Sequence, residues 1–591
     1  MCGFAGELAD HRPADRKAVE RMAATMESRG PDGAGSWAQG RLALAHRRLK
    51  IIDLSASGDQ PMADARLGLT IVFNGCIYNH RELRRELEAA GYAFSSSSDT
   101  EVIIKAYDRW GTRCVDRLIG MFAFGLYEHR SGRLVLARDR LGIKPLYLAR
   151  TGAFLRFAST LPALLGGGGV DTEIDPVAVH HFLSWHGVVP APMTVLKGVR
   201  KLAPATVMVV EPDGQSRSDT YWRADFSRRA EYAGWTDREW SDAVLAAVRT
   251  AVQRRMVADV PVGVLLSGGL DSSLIVGLLA EGGPSGLQTF SVGFDDVGER
   301  EGNEFPYSDI VAAEFQTDHH RIPVATERML PALDGAIAAM SEPMVSHDAV
   351  AFYLLSEEVS KSLKVVQSGQ GADEVFAGYS WYPPLQQASG SGADIYRAEF
   401  FDRPHSEFAD TLTPPYLLKH DPSRAFLERH FARPGADTGV DRALRLDTEI
   451  MLIDDPVKRL DNMTMAWGLE ARTPFLDHEL VELAAASPPE LKLAHDGKGV
   501  LKDAARGVIP DAVIDRPKGY FPVPALSHLE GDTLELVRES LDDVAIGARG
   551  LLRPDHVHRL LEAPNEHLTT LEGSKLWQLA LLELWLRRHG V

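Results

Sequence analysis

The sequence predicts an α/β chain built in two parts with a helical C-terminal region. Three observations carry this. Short β-type runs separated by glycine turns and interleaved with helical patterns occupy the first part. A helix, strand, helix alternation begins at Ser241, and the last part of the chain is mostly of helical period. At 591 residues the chain is too long for one hydrophobic core.

Taken in order, the β-type runs are Leu42 to Ala45, Leu69 to Phe73, Met121 to Tyr127, Leu134 to Arg138 and Leu146 to Leu148. Helical patterns fall at Arg16 to Glu27, His80 to Ala90 and Glu101 to Trp110, so sheets covered by helices are expected. Prolines 190, 192, 204 and 212 loosen the pattern before Trp240. The expected division is 1–210, a connection over 211–240, and 241–591. In the last part an amphipathic helix to about Met256, a strand Val262 to Leu266, a helix from Ser272 and a strand Gln288 to Val292 predict an open parallel sheet with helices on both faces. Gln386 to Ala393 reads as a flexible loop and Lys575 to Arg588 as a terminal helix.

Acidic residues outnumber basic ones 82 to 64, a net charge of -18, which argues against a nucleic-acid-binding surface. Three cysteines (Cys2, Cys76, Cys114) are too few for a disulfide framework and lack metal-ligand spacing. The start has no basic and apolar leader pattern, and the apolar window Val260 to Ala280 is interrupted by Ser267-Gly268-Gly269 and Asp271. A cytoplasmic location without membrane contact is expected.

The chain opens Met1-Cys2-Gly3-Phe4-Ala5-Gly6. Removal of the methionine would place a thiol and a free α-amine, of pKa about 7.7 to 8.0, on one residue, joining nucleophile and base. Four motifs accompany it: Arg29-Gly30-Pro31-Asp32-Gly33, His46-Arg47-Arg48-Leu49, Asn74-Gly75-Cys76-Ile77-Tyr78-Asn79 and Ser98-Asp99-Thr100-Glu101. Together they resemble the glutaminase domain of class II glutamine amidotransferases, which are N-terminal-nucleophile (Ntn) hydrolases. The resemblance implies Cys2 as nucleophile toward the glutamine amide, Asn74 and Gly75 as oxyanion hole, Arg48 as the clamp of the glutamine α-carboxylate, and Asp99 as the partner of its α-ammonium. The family usually has glutamate at position 76. Cys76 is expected as a small buried hydrophobe in a loop, and its replacement of the acid should weaken glutamine binding.

In Val262-Gly263-Val264-Leu265-Leu266-Ser267-Gly268-Gly269-Leu270-Asp271-Ser272-Ser273, small residues stand where a strand turns into a helix, so backbone N–H groups can approach phosphates. No lysine follows, and the P-loop pattern is absent. The string resembles the pyrophosphate loop of ATP pyrophosphatases. It implies Ser267, Gly268, Gly269, Asp271 and Ser272 on ATP, Mg2+ held by Asp271 and Asp373, and Lys518, in Arg516-Pro517-Lys518-Gly519-Tyr520, on the phosphates.

A glutaminase followed by this loop, with Glu470-Ala471-Arg472-Thr473-Pro474-Phe475-Leu476-Asp477, resembles the asparagine synthetase B family. The implied fold is an Ntn αββα sandwich followed by a parallel-sheet, adenine nucleotide alpha hydrolase-like domain with a helical C-terminal part. The implied chemistry is glutamine- and ATP-dependent amidation of a carboxylate through an acyl-AMP, with an apolar ammonia tunnel and a possible homodimer. Asparagine synthetases usually read Ser-Gly-Glu-Gly where this chain has Ser368-Gly369-Gln370-Gly371. Gln370 cannot pair with an ammonium as a carboxylate does but can hydrogen-bond an amide, which makes it a candidate acceptor-binding residue. With Ser341-Glu342-Pro343-Met344-Val345-Ser346-His347-Asp348, the pattern is similar to the N-acetylglutaminylglutamine amidotransferase branch. That branch implies a dipeptide acceptor and a neutral dipeptide amide as an osmoprotectant. Asparagine synthesis from aspartate is the nearest alternative, and a non-catalytic nucleotide-sensing protein a distant one. Acceptor-reading residues are expected within Tyr307 to Val324 and Glu342 to Leu355.

Overall fold

The computed structural model describes residues 2–283, 286–294, 305–346, 348–387, 392–517 and 528–591. Its first part stacks two six-stranded antiparallel sheets. One runs Arg200–Lys201, Tyr147–Arg150, Phe154–Ala158, Gly3–Ala9, Leu42–Arg48, Gly33–Gln39; the other Ser216–Thr220, Thr206–Val210, Arg133–Arg138, Gly120–Glu128, Leu69–Ile77, Met62–Asp64. Strand alternation builds the layers. Phe4 and Leu8 point between the sheets with Leu42, Leu44, Val72 and Phe157, whereas Ala5, Ala43 and Ala45 face out. The small outward residues let helices Arg16–Ala24 and Leu161–Gly167 lie close on one sheet. Helices His80–Ala89 and Asp99–Trp110 cover the other through Leu83, Val102 and Ile103. The result is the expected αββα sandwich.

Two features differ from expectation. The second sheet continues past 210, because Ser216–Thr220 pairs along Thr206–Val210. Cys76 lies in a strand rather than a loop: Asn74, Gly75 and Cys76 pair with Ala123, Phe122 and Met121. A Cβ on Gly75 would stand 2.2 Å from Met121 O, so only glycine lets the strands approach there.

The second part holds a five-stranded parallel sheet in the order Asp318–Val324, Gln288–Phe294, Val262–Leu265, Val365–Gln367, Glu470–Arg472. Val262–Leu265 comes first in the chain yet sits in the middle, since the next strand pairs on one side of it and Val365–Gln367 on the other. Ligands of open parallel sheets bind outside the strand C-termini at such a switch point. Here those ends lead into Ser267-Gly268-Gly269 and Ser368-Gly369-Gln370. Helices Asp237–Arg254 and Leu270–Ala280 pack on the sheet, and the chain closes on the expected helix Lys575–Arg588, with Trp577 and Trp585 buried. The expected loop over 386–393 falls partly on 388–391, outside the described residues. Among the described residues, no helix is long and apolar enough to cross a membrane.

Candidate active sites

Cys2 directly precedes Gly3–Ala9, an inner strand of the first sheet, and is buried, 8% exposed. Its backbone N donates to Asn74 Oδ1 at 2.9 Å. Asn74 is fully buried, and its Nδ2 has no hydrogen-bond partner among the described residues. Cys2, Arg48, Gly75, Cys76, Asp99 and Glu470 line one cavity of about 30 Å3, which is room for a water. The motifs separated in sequence are thus brought together, with one addition: Glu470 comes from the second part of the chain.

The charges of this cavity are set by burial and neighbours. Burial pushes the Cys2 thiol up, against the pull of the amino terminus, the Leu49 N–H and Arg48. Burial also raises Asp99, opposed by His80 and by the Ile77 N–H that its Oδ2 accepts at 3.0 Å. Arg48 Nη1 donates to Ser55 O at 2.7 Å and Asp59 Oδ1 at 2.5 Å, and its Nη2 to Asp53 O. The guanidinium is therefore already occupied by a carboxylate. Cys76 is buried, with its thiol pushed far up by burial and Arg472 Nη2 at 3.7 Å from Sγ. It is a neutral wall. No histidine lines the cavity among the described residues.

The second cavity, about 790 Å3, lies at the switch point and is lined by Ser267, Gly269, Asp271, Ser272, Ser368, Gly369, Gln370, Asp373 and Lys498 among others. Gly268 has φ +70°, and a Cβ there would stand 2.4 Å from Ser308 N. Ser267 Oγ accepts Gly269 N at 3.3 Å and lies 3.1 Å from Ser272 Oγ. Gly269 caps helix Leu270–Ala280 without a side chain, so the first-turn N–H groups stay open to an anion. Arg516 Nη1 donates to Gly268 O at 3.1 Å and its guanidinium lies over the Tyr307 ring. Lys518 lies outside the described residues.

Lys498, not singled out by the motifs, joins the two proposed metal ligands. Its Nζ is 2.7 Å from Asp271 Oδ2 and 3.0 Å from Asp373 Oδ2. Burial would lower this lysine, but the two carboxylates outweigh it and hold it raised. The signal available in sequence was Gly497-Lys498-Gly499, where Gly497 and Lys498 both take positive φ. Two carboxylates already holding a cation are the hard oxygen donors that suit Mg2+ beside phosphate oxygens, so the residues fit the ion.

Beyond the phosphate loop the cavity extends to Asp348, Phe352, Leu355, Tyr379 and Arg459. These include the expected 342–355 segment; nothing from 307–324 lines it among the described residues.

Comparison with known proteins agrees with this architecture. Residues 243–587 match the family described as Asparagine synthase, and residues 1–222 the Glutamine amidotransferase domain. The chain is similar to asparagine synthetase [glutamine-hydrolyzing] 1 of Bacillus subtilis (strain 168), 31% identical over 99% of this chain and 96% of the relative. It is 30% identical to asparagine synthetase [glutamine-hydrolyzing] 3 of the same organism, over 92% and 91%. Amidase chyE of Penicillium rubens is 26% identical over 89% of each chain.

Proposed function

Because this chain belongs to the asparagine synthase family and carries that family's glutamine amidotransferase domain, we propose the following division of labour between its two cavities. The protein is a glutamine-hydrolysing, ATP-using ligase. In the first cavity the α-amine of mature Cys2 takes the thiol proton as sulfur attacks the glutamine side-chain carbonyl. Asn74 Nδ2 and the Gly75 N–H receive the developing oxyanion, and the protonated amine returns its proton to the departing ammonia. Water then releases glutamate from the thioester. Arg48, freed from Asp59, clamps the α-carboxylate, and Asp99 faces the α-ammonium.

In the second cavity an oxygen of the acceptor carboxylate attacks the α-phosphorus of ATP and pyrophosphate leaves. Ser267, Gly268, Gly269 and Ser272 cradle that pyrophosphate with backbone and hydroxyl donors, and Lys498 stands ready to balance its charge. Asp271 and Asp373 would hold Mg2+, which supplies neutralisation of phosphate charge. Ammonia attacks the acyl carbon, a proton is lost, and AMP departs, leaving an amide.

The acceptor we propose is N-acetylglutaminylglutamine, amidated at its C-terminal carboxylate to an osmoprotectant. The carrying observation is Gln370, a neutral amide that lines the second cavity, suited to an acceptor with amides in place of a charged amine. Aspartate is the competing acceptor, favoured by the names of the Bacillus subtilis relatives. Pyrophosphate release with each acceptor decides. Release with the dipeptide alone supports this reading, and release with aspartate alone replaces it by asparagine synthesis.

A further inference from the structure

Glu470 begins the edge strand Glu470–Arg472 of the parallel sheet, far from the N-terminal motifs in sequence, yet its side chain lines the cavity of Cys2, Arg48 and Asp99. It is 1% exposed. Its Oε1 accepts Arg472 Nε at 2.6 Å, and Arg472 also donates to Arg255 O at 2.7 Å and Val257 O at 2.8 Å, which fixes the pair. Burial pushes this carboxyl up, but the charges of the amino terminus, Arg472 and Lys144 outweigh it and hold it at about 2. A carboxylate in this position is anionic.

Glutamine arrives as a zwitterion, and its two charged ends need opposite partners once they leave water. Arg48 suits the carboxylate. For the ammonium the cavity offers two acids, Asp99 and Glu470. Asp99 has one oxygen committed to Ile77 N and a carboxyl raised by burial, so alone it is a weak partner. Cys76 contributes no charge. We propose that Glu470 is the second carboxylate that receives the α-ammonium of glutamine, so that the substrate is read by residues from both parts of the chain. This rests on assigning the first cavity to glutamine. The strand that carries Glu470 also pairs with Val365–Gln367, and Arg472 O accepts Ser368 N at 2.8 Å. The glutamine pocket is therefore complete only when the parallel sheet is docked beside it.

The test is glutamate release from glutamine against release of glutarate from glutaramate, which is glutamine without its α-amine, by the full-length protein and Glu470→Gln. Glutamine keeps the same shape and a hydrogen-bond acceptor for Arg472. Loss of a charge-assisted contact should raise KM for glutamine about tenfold and reduce the preference for glutamine over glutaramate by a similar factor. A preference kept at the wild-type level, whether activity is normal or falls equally for both substrates, overturns the proposal. If the amide variant does not fold, Glu470→Asp answers the same question: a partial fall in preference supports the assignment and an unchanged one overturns it. A wild-type protein that hydrolyses neither substrate would instead overturn the glutaminase reading beneath it.

Discussion

Asp461 Oδ2 receives Arg29 Nη1 at 2.9 Å, an ion pair buried at both ends and joining the N-terminal sandwich to helix Lys458–Met465. Arg29 Nε also donates to Cys2 O at 3.4 Å, and Lys144 Nζ lies 3.2 Å from Asp461 Oδ1. One carboxylate thus balances two buried cations beside Cys2.

Breaking this group leaves charge stranded. Asp461→Ala should destabilise the fold by about 3–5 kcal/mol, because Arg29 and Lys144 lose their common partner out of water. Chemical denaturation checks this, and an unchanged midpoint would show that water or another acid replaces Asp461.

Asn74→Ala removes the donor proposed for the oxyanion, and with it the Oδ1 that accepts Cys2 N, while leaving the thiol in place. Glutaminase kcat should fall about 10²–10³-fold with KM little changed, since the lost contact forms only as charge develops. A rise in KM alone would assign Asn74 to ground-state binding.

Asp99 gives a pH dependence of definite sign. Its carboxyl lies above its ordinary value of about 3.9, chiefly through burial, and once protonated it cannot face an ammonium. KM for glutamine should rise as pH falls through that raised range and level off above it. Asp99→Asn should have a high KM without this step. A KM that falls on acidification would contradict the assignment.

Separate sites predict separate losses. Asp271→Asn should abolish pyrophosphate release while glutamate release from glutamine persists, because Asp271 lines the switch-point cavity and is not part of the lining of the first one. Loss of both activities would mean that the two cavities do not act independently.

Much of this arrangement is legible in the sequence because it is local. The strand, loop and helix around Ser267 to Ser273 show in the run of small residues, and Asn74-Gly75 lies beside Cys2 as its motif implies. What the sequence does not display is which distant edges abut. Lys498 reaches Asp271 and Asp373 only because the chain after helix His478–Ala486 folds back over the sheet. Glu470 enters the first cavity because an edge strand of one sheet docks against the other part. Cys76, expected in a loop, is held extended by cross-strand pairing with Gly120–Glu128, a distant partner that the local sequence does not display.

The most direct measurement follows nitrogen and phosphate together, with the dipeptide acceptor, ATP, magnesium and glutamine labelled with 15N in its side-chain amide. The account predicts glutamate, AMP, pyrophosphate and 15N-labelled dipeptide amide in equal amounts. ADP and phosphate in place of AMP and pyrophosphate, or 15N left as free ammonium with no labelled amide formed, would contradict it.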